Sequence, residues 1–91
     1  MDGTSLIATP LGIARPGFRG RIVALDARAA VGLAPEELER RLVELGFVEG
    51  ETVEVRHEGP IGGDPIAVAI KGTLIGLRRR EAMAILVQPG S

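Results

Sequence analysis

The sequence predicts a small domain that is mostly β with one main α-helix, its sheet curled into a barrel. One well-signalled helix is followed by alternating strands that run almost to the C-terminus. The chain has 91 residues, which suits a single domain. Hydrophobic residues make up 45% of it, but only two residues are aromatic. A small sheet must therefore curl to bury its Val, Ile and Leu side chains.

The helix is predicted between Pro35 and Gly46. Proline suits the first helical position, where its missing N–H group costs nothing. Leu38, Leu42 and Leu45 recur at spacings of four and three residues and should form one apolar face. Gly46 is placed to adopt the left-handed conformation that ends many helices. The sequence therefore predicts both ends of this helix.

Alternation of apolar and polar residues predicts the strands. They are expected at residues 20–26, 52–58, 66–70, 75–77 and 84–87. The segment Gly59–Pro65, rich in glycine and proline, is expected to be a rigid turn. Short helical turns are expected within residues 26–34 and 79–83, and an irregular lead-in before the first strand. Residues 1–4 should fray and residues 89–91 should form a tail, which leaves one domain at residues 5–88.

The composition and the motifs of the chain exclude several classes of function. The chain has no cysteine, which excludes disulfides and thiolate chemistry, and its net charge is −1. No apolar run reaches the roughly 18 residues of a membrane helix, so direct membrane insertion is not expected. The start of the chain lacks the features of a signal peptide, which favours a cytoplasmic protein. No catalytic constellation or P-loop is recognisable, so we expect neither an enzyme nor a bound cofactor.

His57 is the single histidine of the chain. It should point to the opposite strand face from Glu58. With Glu54 it would supply two ligands, which is short of a stable Fe²⁺ or Zn²⁺ site. A surface histidine and no bound metal are therefore expected.

Three segments, taken in order, resemble the FeoA family. They are residues 40–50 (RRLVELGFVEG), 60–66 (PIGGDPI) and 77–82 (LRRREA), with Arg15-Pro16-Gly17 upstream. The likeness covers roughly residues 5–88. It departs from shorter family members in a longer connection at residues 26–35 and in two glycines before Asp64.

The resemblance implies an SH3-like β-barrel and a partner role. FeoA-like proteins are associated with FeoB, a membrane transporter for Fe²⁺ with a cytoplasmic GTP-hydrolysing domain, and the family is linked to transition metal ions. What the resemblance implies is docking on that cytoplasmic part, with modulation of the GTPase domain or of assembly. The same domain type occurs at the C-terminus of iron-dependent repressors.

A partner-binding surface is expected where stiff turns, an outward apolar residue and a basic run meet. Its residues are Pro60, Ile61, Asp64, Leu74, Arg78, Arg79 and Arg80. Ile61 is an apolar residue at a loop tip, and Leu74 falls out of phase with the inward residues of its strand. The arginines could meet an acidic surface or a phosphate. Each feature also has a plainer interpretation, as a strand reversal, an ordinary exposed leucine or a solvated corner.

Three alternatives stay open at this point. Residues 49–55 also resemble the strand start of ribosome-associated SH3-like modules, which would make the chain a nucleic-acid-binding protein. The acids that alternate along this strand argue against that interpretation because they repel phosphates, so no nucleic acid is expected. The chain could also be a regulatory domain of a repressor system, or a homo-oligomer paired through a sheet edge.

Overall fold

The computed structural model describes residues 7–90. The expectations for residues 1–4, for the start of the domain at residue 5 and for Ser91 lie outside the described residues. Within them the elements, in chain order, are β1 (Thr9–Pro10), β2 (Arg19–Leu25), α1 (Pro35–Leu45), β3 (Thr52–Ile61), β4 (Asp64–Ile70), β5 (Thr73–Leu77), α2 (Arg79–Ala82) and β6 (Ile85–Pro89). Short 3₁₀ turns occupy Leu11–Ile13 and Ala27–Ala29. No helix in this part of the chain is long and apolar enough to cross a membrane.

Helix α1 has the predicted bounds, and its end has the predicted geometry. Gly46 has φ 105°, and its N–H group donates to the carbonyls of Leu42 and Val43. Leu42 is buried, whereas Leu45, predicted on the same inward face, is 38% exposed. Leu45 is the last helical residue, and Phe47 just beyond it is fully buried instead. The last helical turn therefore stays partly exposed, and the chain enters the core only after the helix, at Phe47.

The predicted seven-residue turn at Gly59–Pro65 is wrong. Strand β3 continues to Ile61 and β4 begins at Asp64. The turn consists of Gly62 and Gly63, whose φ values of 67° and 73° are the left-handed values that glycine adopts without steric cost. The pairing of β3 with β4 is irregular between Glu58 and Ile61, which is where a proline is tolerated in a sheet. The result is a hairpin with longer strands and a shorter turn than expected.

The sheet has six antiparallel strands in the order β1-β6-β2-β3-β4-β5. The predicted class, mostly β with one main helix, is confirmed. Closure of the barrel by strand pairing is not, because β1 and β5 are the two ends of this sheet and no pairing joins them in the described residues. The first 3₁₀ turn packs against α2 near this gap. Gly12 permits this approach, since a Cβ there would lie 2.4 Å from the Arg79 carbonyl oxygen.

One continuous core lies inside the curled sheet. Its largest fully buried side chains are Phe47, Leu11, Ile22, Leu42, Ile66, Leu77, Ile85, Val53, Val55, Val68 and Val87. They come from the strands, from α1, from the first 3₁₀ turn and, for Phe47, from the connection that follows α1. The sheet is thus curled around an aliphatic interior although its ends do not pair.

Both flanks of the domain are more ordered than the sequence indicates. The lead-in contains β1, in which Thr9 pairs with Val87 of β6. Pro89, expected to begin the tail, is the last residue of β6 and pairs with Gly20. A proline can end a strand because its ring removes only one donor from the ladder. Short strands at chain ends leave little periodicity to detect.

Candidate partner-binding surface

The tip of the β3–β4 hairpin carries two of the predicted contact residues. Pro60 and Ile61 are both exposed, and Ile61 exposes 84% of its surface. Ile61 lies opposite Asp64 in the strand pairing, immediately before the Gly62–Gly63 turn. An isoleucine held at a tight hairpin tip is an apolar group that solvent does not favour and that a partner surface can cover.

Arg79 holds this hairpin to the opposite side of the gap. Its Nε donates to the Gly63 carbonyl at 2.8 Å and its Nη2 donates to Glu58 Oε1 at 2.8 Å. Its Nη1 donates to the carbonyls of Gly12 and Ala14 at 3.0 and 2.7 Å. We call Arg79 and these four acceptor residues the Arg79 latch. The planar guanidinium fork suits such divergent acceptors better than a lysine would.

The backbone of Arg79 is fixed as well. Its N–H group donates to Asp64 Oδ1 at 2.9 Å, so a carboxylate from β4 satisfies a free donor at the start of α2. Glu81 Oε1 accepts from the N–H group of Arg78 at 3.0 Å, and Glu81 Oε2 accepts from Arg41 of α1 at 2.6 Å. Asp64 and Arg79, both predicted as contact residues, are therefore engaged within the chain.

A residue that the sequence does not single out lies next to the latch. Ile13 is 61% exposed, and the latch binds the carbonyls on either side of it, those of Gly12 and Ala14. Arg15 Nη2 lies 3.6 Å from Glu58 Oε2, so Arg15 forms an ion pair with a residue of the latch. An open cleft of about 390 Å³ has as its lining Gly12, Ile13, Arg15, Glu58, Gly62, Gly63 and Arg79. No periodicity marks Ile13 in the sequence, because it sits in a three-residue 3₁₀ turn.

We define the tip surface as Ile13, Arg15, Pro60 and Ile61. Two exposed apolar side chains lie on the two segments that Arg79 joins. The ion pair of Arg15 with Glu58 lines the same open cleft as Ile13. Exposed apolar side chains near polar groups are typical of protein-binding surfaces.

Leu74 does not belong to this surface. It is 53% exposed, as predicted, but it lies opposite Ala69 on β4. Ala69 is five residues along β4 from Asp64, or about 16 Å at the usual rise of a strand. Phe47, the largest fully buried side chain, is not available to extend an exposed patch around Leu74. Arg78 and Arg80 are exposed and follow β5, so the structure divides the predicted surface into the hairpin tip and the β5 side.

His57 is exposed on β3, where it pairs with Ala67. Across residues 7–90 there is no group of three His, Cys, Asp or Glu side chains close enough to hold a metal ion.

Fold and surface together define a small SH3-like domain with an exposed isoleucine at a hairpin tip and exposed arginines after a strand. The model of the FeoA domain family matches residues 9–89. This chain belongs to the FeoA domain family.

Solved structures of FeoA proteins share the fold. The chain is 38% identical to iron(II) transport protein A from Clostridium thermocellum, with a TM-score of 0.73 over 89% of this chain and 45% of that one. It is 32% identical to FeoA from Stenotrophomonas maltophilia, a prokaryotic SH3 domain protein complexed with zinc, with a TM-score of 0.73 over 89% of this chain and 91% of that one.

A manganese-dependent transcriptional repressor also matches, at 24% identity and a TM-score of 0.74. The match covers 90% of this chain and 36% of the repressor, and at this identity it shows the fold alone. A comparison with curated proteins gave no match.

Proposed function

We propose that this chain is a cytoplasmic accessory protein of ferrous iron uptake and acts by protein–protein contact. Its partner in this proposal is the cytoplasmic GTPase region of a FeoB-type Fe²⁺ transporter. The tip surface makes the contact, and any effect on GTP turnover passes through the partner's conformation. Membership of the FeoA family and the names of its relatives, which include a candidate ferrous iron transport activating factor, support the iron-uptake role.

The observation that carries the choice of surface is the exposure of Ile61 on a hairpin held in place by the Arg79 latch. Burial of one isoleucine side chain contributes about 1.5–3 kcal/mol. Because the latch fixes the hairpin before binding, little conformational entropy is lost when the partner binds. A single apolar residue can then contribute a large share of the affinity.

The chain offers a matched control for this residue. Val31, in the connection between β2 and α1, is 85% exposed and is also a β-branched apolar residue. We expect Ile61→Asp to weaken binding to the purified transporter GTPase region at least about tenfold, the loss of one buried side chain. Val31→Asp has the same charge change and should bind like wild type.

Binding is measured by calorimetry or by surface plasmon resonance, with circular dichroism to show that both variants fold. Equal affinities of wild type and Ile61→Asp would exclude the tip surface. A loss of affinity in both variants would point to a general charge effect and would equally contradict the proposal.

A further inference from the structure

Strand β5 is an end of the sheet that lacks the usual protection of an edge strand. Natural edge strands are commonly blunted by charged side chains, by proline or by extreme shortness. The five residues of β5, with the sequence TLIGL, contain neither a charge nor a proline. Strand β1, at the other end of the sheet, has only two residues, one of them Pro10. The edge at β1 is therefore protected against pairing with another strand, whereas the edge at β5 is not.

The β4–β5 turn fixes which backbone groups of β5 face away from the sheet. Lys71 and Gly72 both have positive φ, 52° and 77°, as in a two-residue hairpin turn. In such a turn the two flanking residues form backbone hydrogen bonds with each other. Ile70 and Thr73 are those flanking residues. Because hydrogen-bonded pairs alternate along an antiparallel ladder, residues 73, 75 and 77 bond to β4. The N–H and C=O groups of Leu74 and Gly76 point to the free side.

The side chains at these positions leave the approach open. Leu74 and Gly76 are exposed, and they share the outer face of the sheet because they are two residues apart. A Cβ added at Gly76 would have no atom within 4 Å, apart from the chain neighbours. An extended chain could therefore approach these backbone groups and cover Leu74 at the same time.

The charges at the end of β5 indicate what such a segment carries. Arg78 directly follows the strand and Arg80 lies in α2, two residues further on. Both are exposed, and neither forms an ion pair within residues 7–90. A second copy of the chain is a poor occupant. In antiparallel pairing centred on Ile75, Arg78 would lie opposite Gly72 and one position away from Lys71 of the other copy at both ends, and like charges this close oppose association.

We propose that β5 binds an extended segment of a partner protein by strand addition. The segment runs antiparallel to β5, with acidic residues at its N-terminal end facing Arg78 and Arg80, followed by alternating apolar residues. Backbone hydrogen bonds to Leu74 and Gly76 supply affinity, and the arginines set direction and register. This site is separate from the tip surface and does not depend on the identity of the partner proposed for that surface.

The test uses the whole chain, labelled with ¹⁵N, and the blocked synthetic peptide Asp-Asp-Val-Thr-Val-Thr-Val. We expect the amide signals of Leu74 and Gly76 to shift on titration and their hydrogen exchange to slow. The same peptide with N-methyl groups on alternate residues facing β5 should not bind, because the side chains are kept and the ladder donors are lost. Absence of shifts in β5 at millimolar peptide, or equal binding of the methylated peptide, would overturn the proposal.

Charge reversal provides a second readout that does not disturb the strand. Arg78→Glu with Arg80→Glu should weaken binding of the acidic peptide about fivefold or more, as expected for two exposed ion pairs. The same variant should gain affinity for a peptide with Lys-Lys in place of Asp-Asp. Arg21→Glu with Arg40→Glu changes the net charge equally at two exposed sites elsewhere and should bind like wild type.

Self-association is the competing outcome. Sedimentation velocity over a range of concentrations should show a monomer. A dimer that Gly76→Pro abolishes would show that a second copy occupies β5 and would overturn the choice of occupant.

Discussion

The three consecutive arginines at positions 78–80 have different surroundings in this fold. Arg78 and Arg80 are exposed, whereas the side chain of Arg79 is 19% exposed and donates to four acceptors in two segments of the chain. The sequence predicts the basic run but treats its members alike. The acceptors of Arg79 lie 16 to 67 residues away, so no local pattern can distinguish it.

Removal of the Arg79 guanidinium should cost much of the stability of a domain this small. We expect Arg79→Met to lower the free energy of unfolding by about 2–3 kcal/mol, because Glu58 and three carbonyl groups lose their donor. Arg80→Met, the control, should change it by less than about 0.5 kcal/mol, as an exposed surface substitution does. Urea denaturation followed by circular dichroism measures both. Equal midpoints for the two variants would show that the latch contributes nothing.

The elements of the fold differ in how far local sequence defines them. The bounds of helix α1 could be predicted to the residue because Pro35 and Gly46 mark its ends, and Leu38 and Leu42 mark its inner face. The β3–β4 hairpin could not, because Gly59 and Pro60 have the composition of a turn although they lie within a strand. Only the cross-strand contacts between β3 and β4 decide this, and those contacts are not visible in sequence order.

The glycines of the hairpin region provide a test of this account. A Cβ at Gly59 would lie 2.3 Å from the Asp64 carbonyl oxygen, whereas a Cβ at Gly76 meets nothing within 4 Å. Gly59→Ala should therefore destabilise the protein by about 1–3 kcal/mol, the usual cost of overpacking. Gly76→Ala should be neutral or slightly stabilising, since alanine lowers the entropy of the unfolded chain. Thermal unfolding of both variants checks the difference, and a stable Gly59→Ala variant would contradict the close approach of β3 and β4.

At the scale of the whole molecule, a sheet with unpaired ends still buries a continuous core. The sequence predicts the aliphatic interior and the curled sheet, but it does not reveal that the two ends fail to pair. Side chains from outside the sheet connect parts that strand pairing leaves apart. Arg79 joins the β3–β4 hairpin to the first 3₁₀ turn, and α1 adds Leu38 and Leu42 to the same buried cluster as the strands. In the candidate surface, the exposure of Ile61 could be predicted because it lies between proline and glycine residues, whereas nothing in the local sequence marks Ile13.

If α1 completes the core, its buried face must contribute as much as a strand does. Leu42 is fully buried, and Leu42→Ala should lower the free energy of unfolding by about 3 kcal/mol through lost burial and the cavity left behind. Its neighbour Val43 is 44% exposed, and Val43→Ala should cost less than about 0.5 kcal/mol because it empties no interior space and alanine favours a helix. Both values come from urea denaturation of the purified variants. A loss below about 1 kcal/mol for Leu42→Ala would contradict a core that depends on the helix, because truncation of a fully buried leucine usually costs about 2–5 kcal/mol.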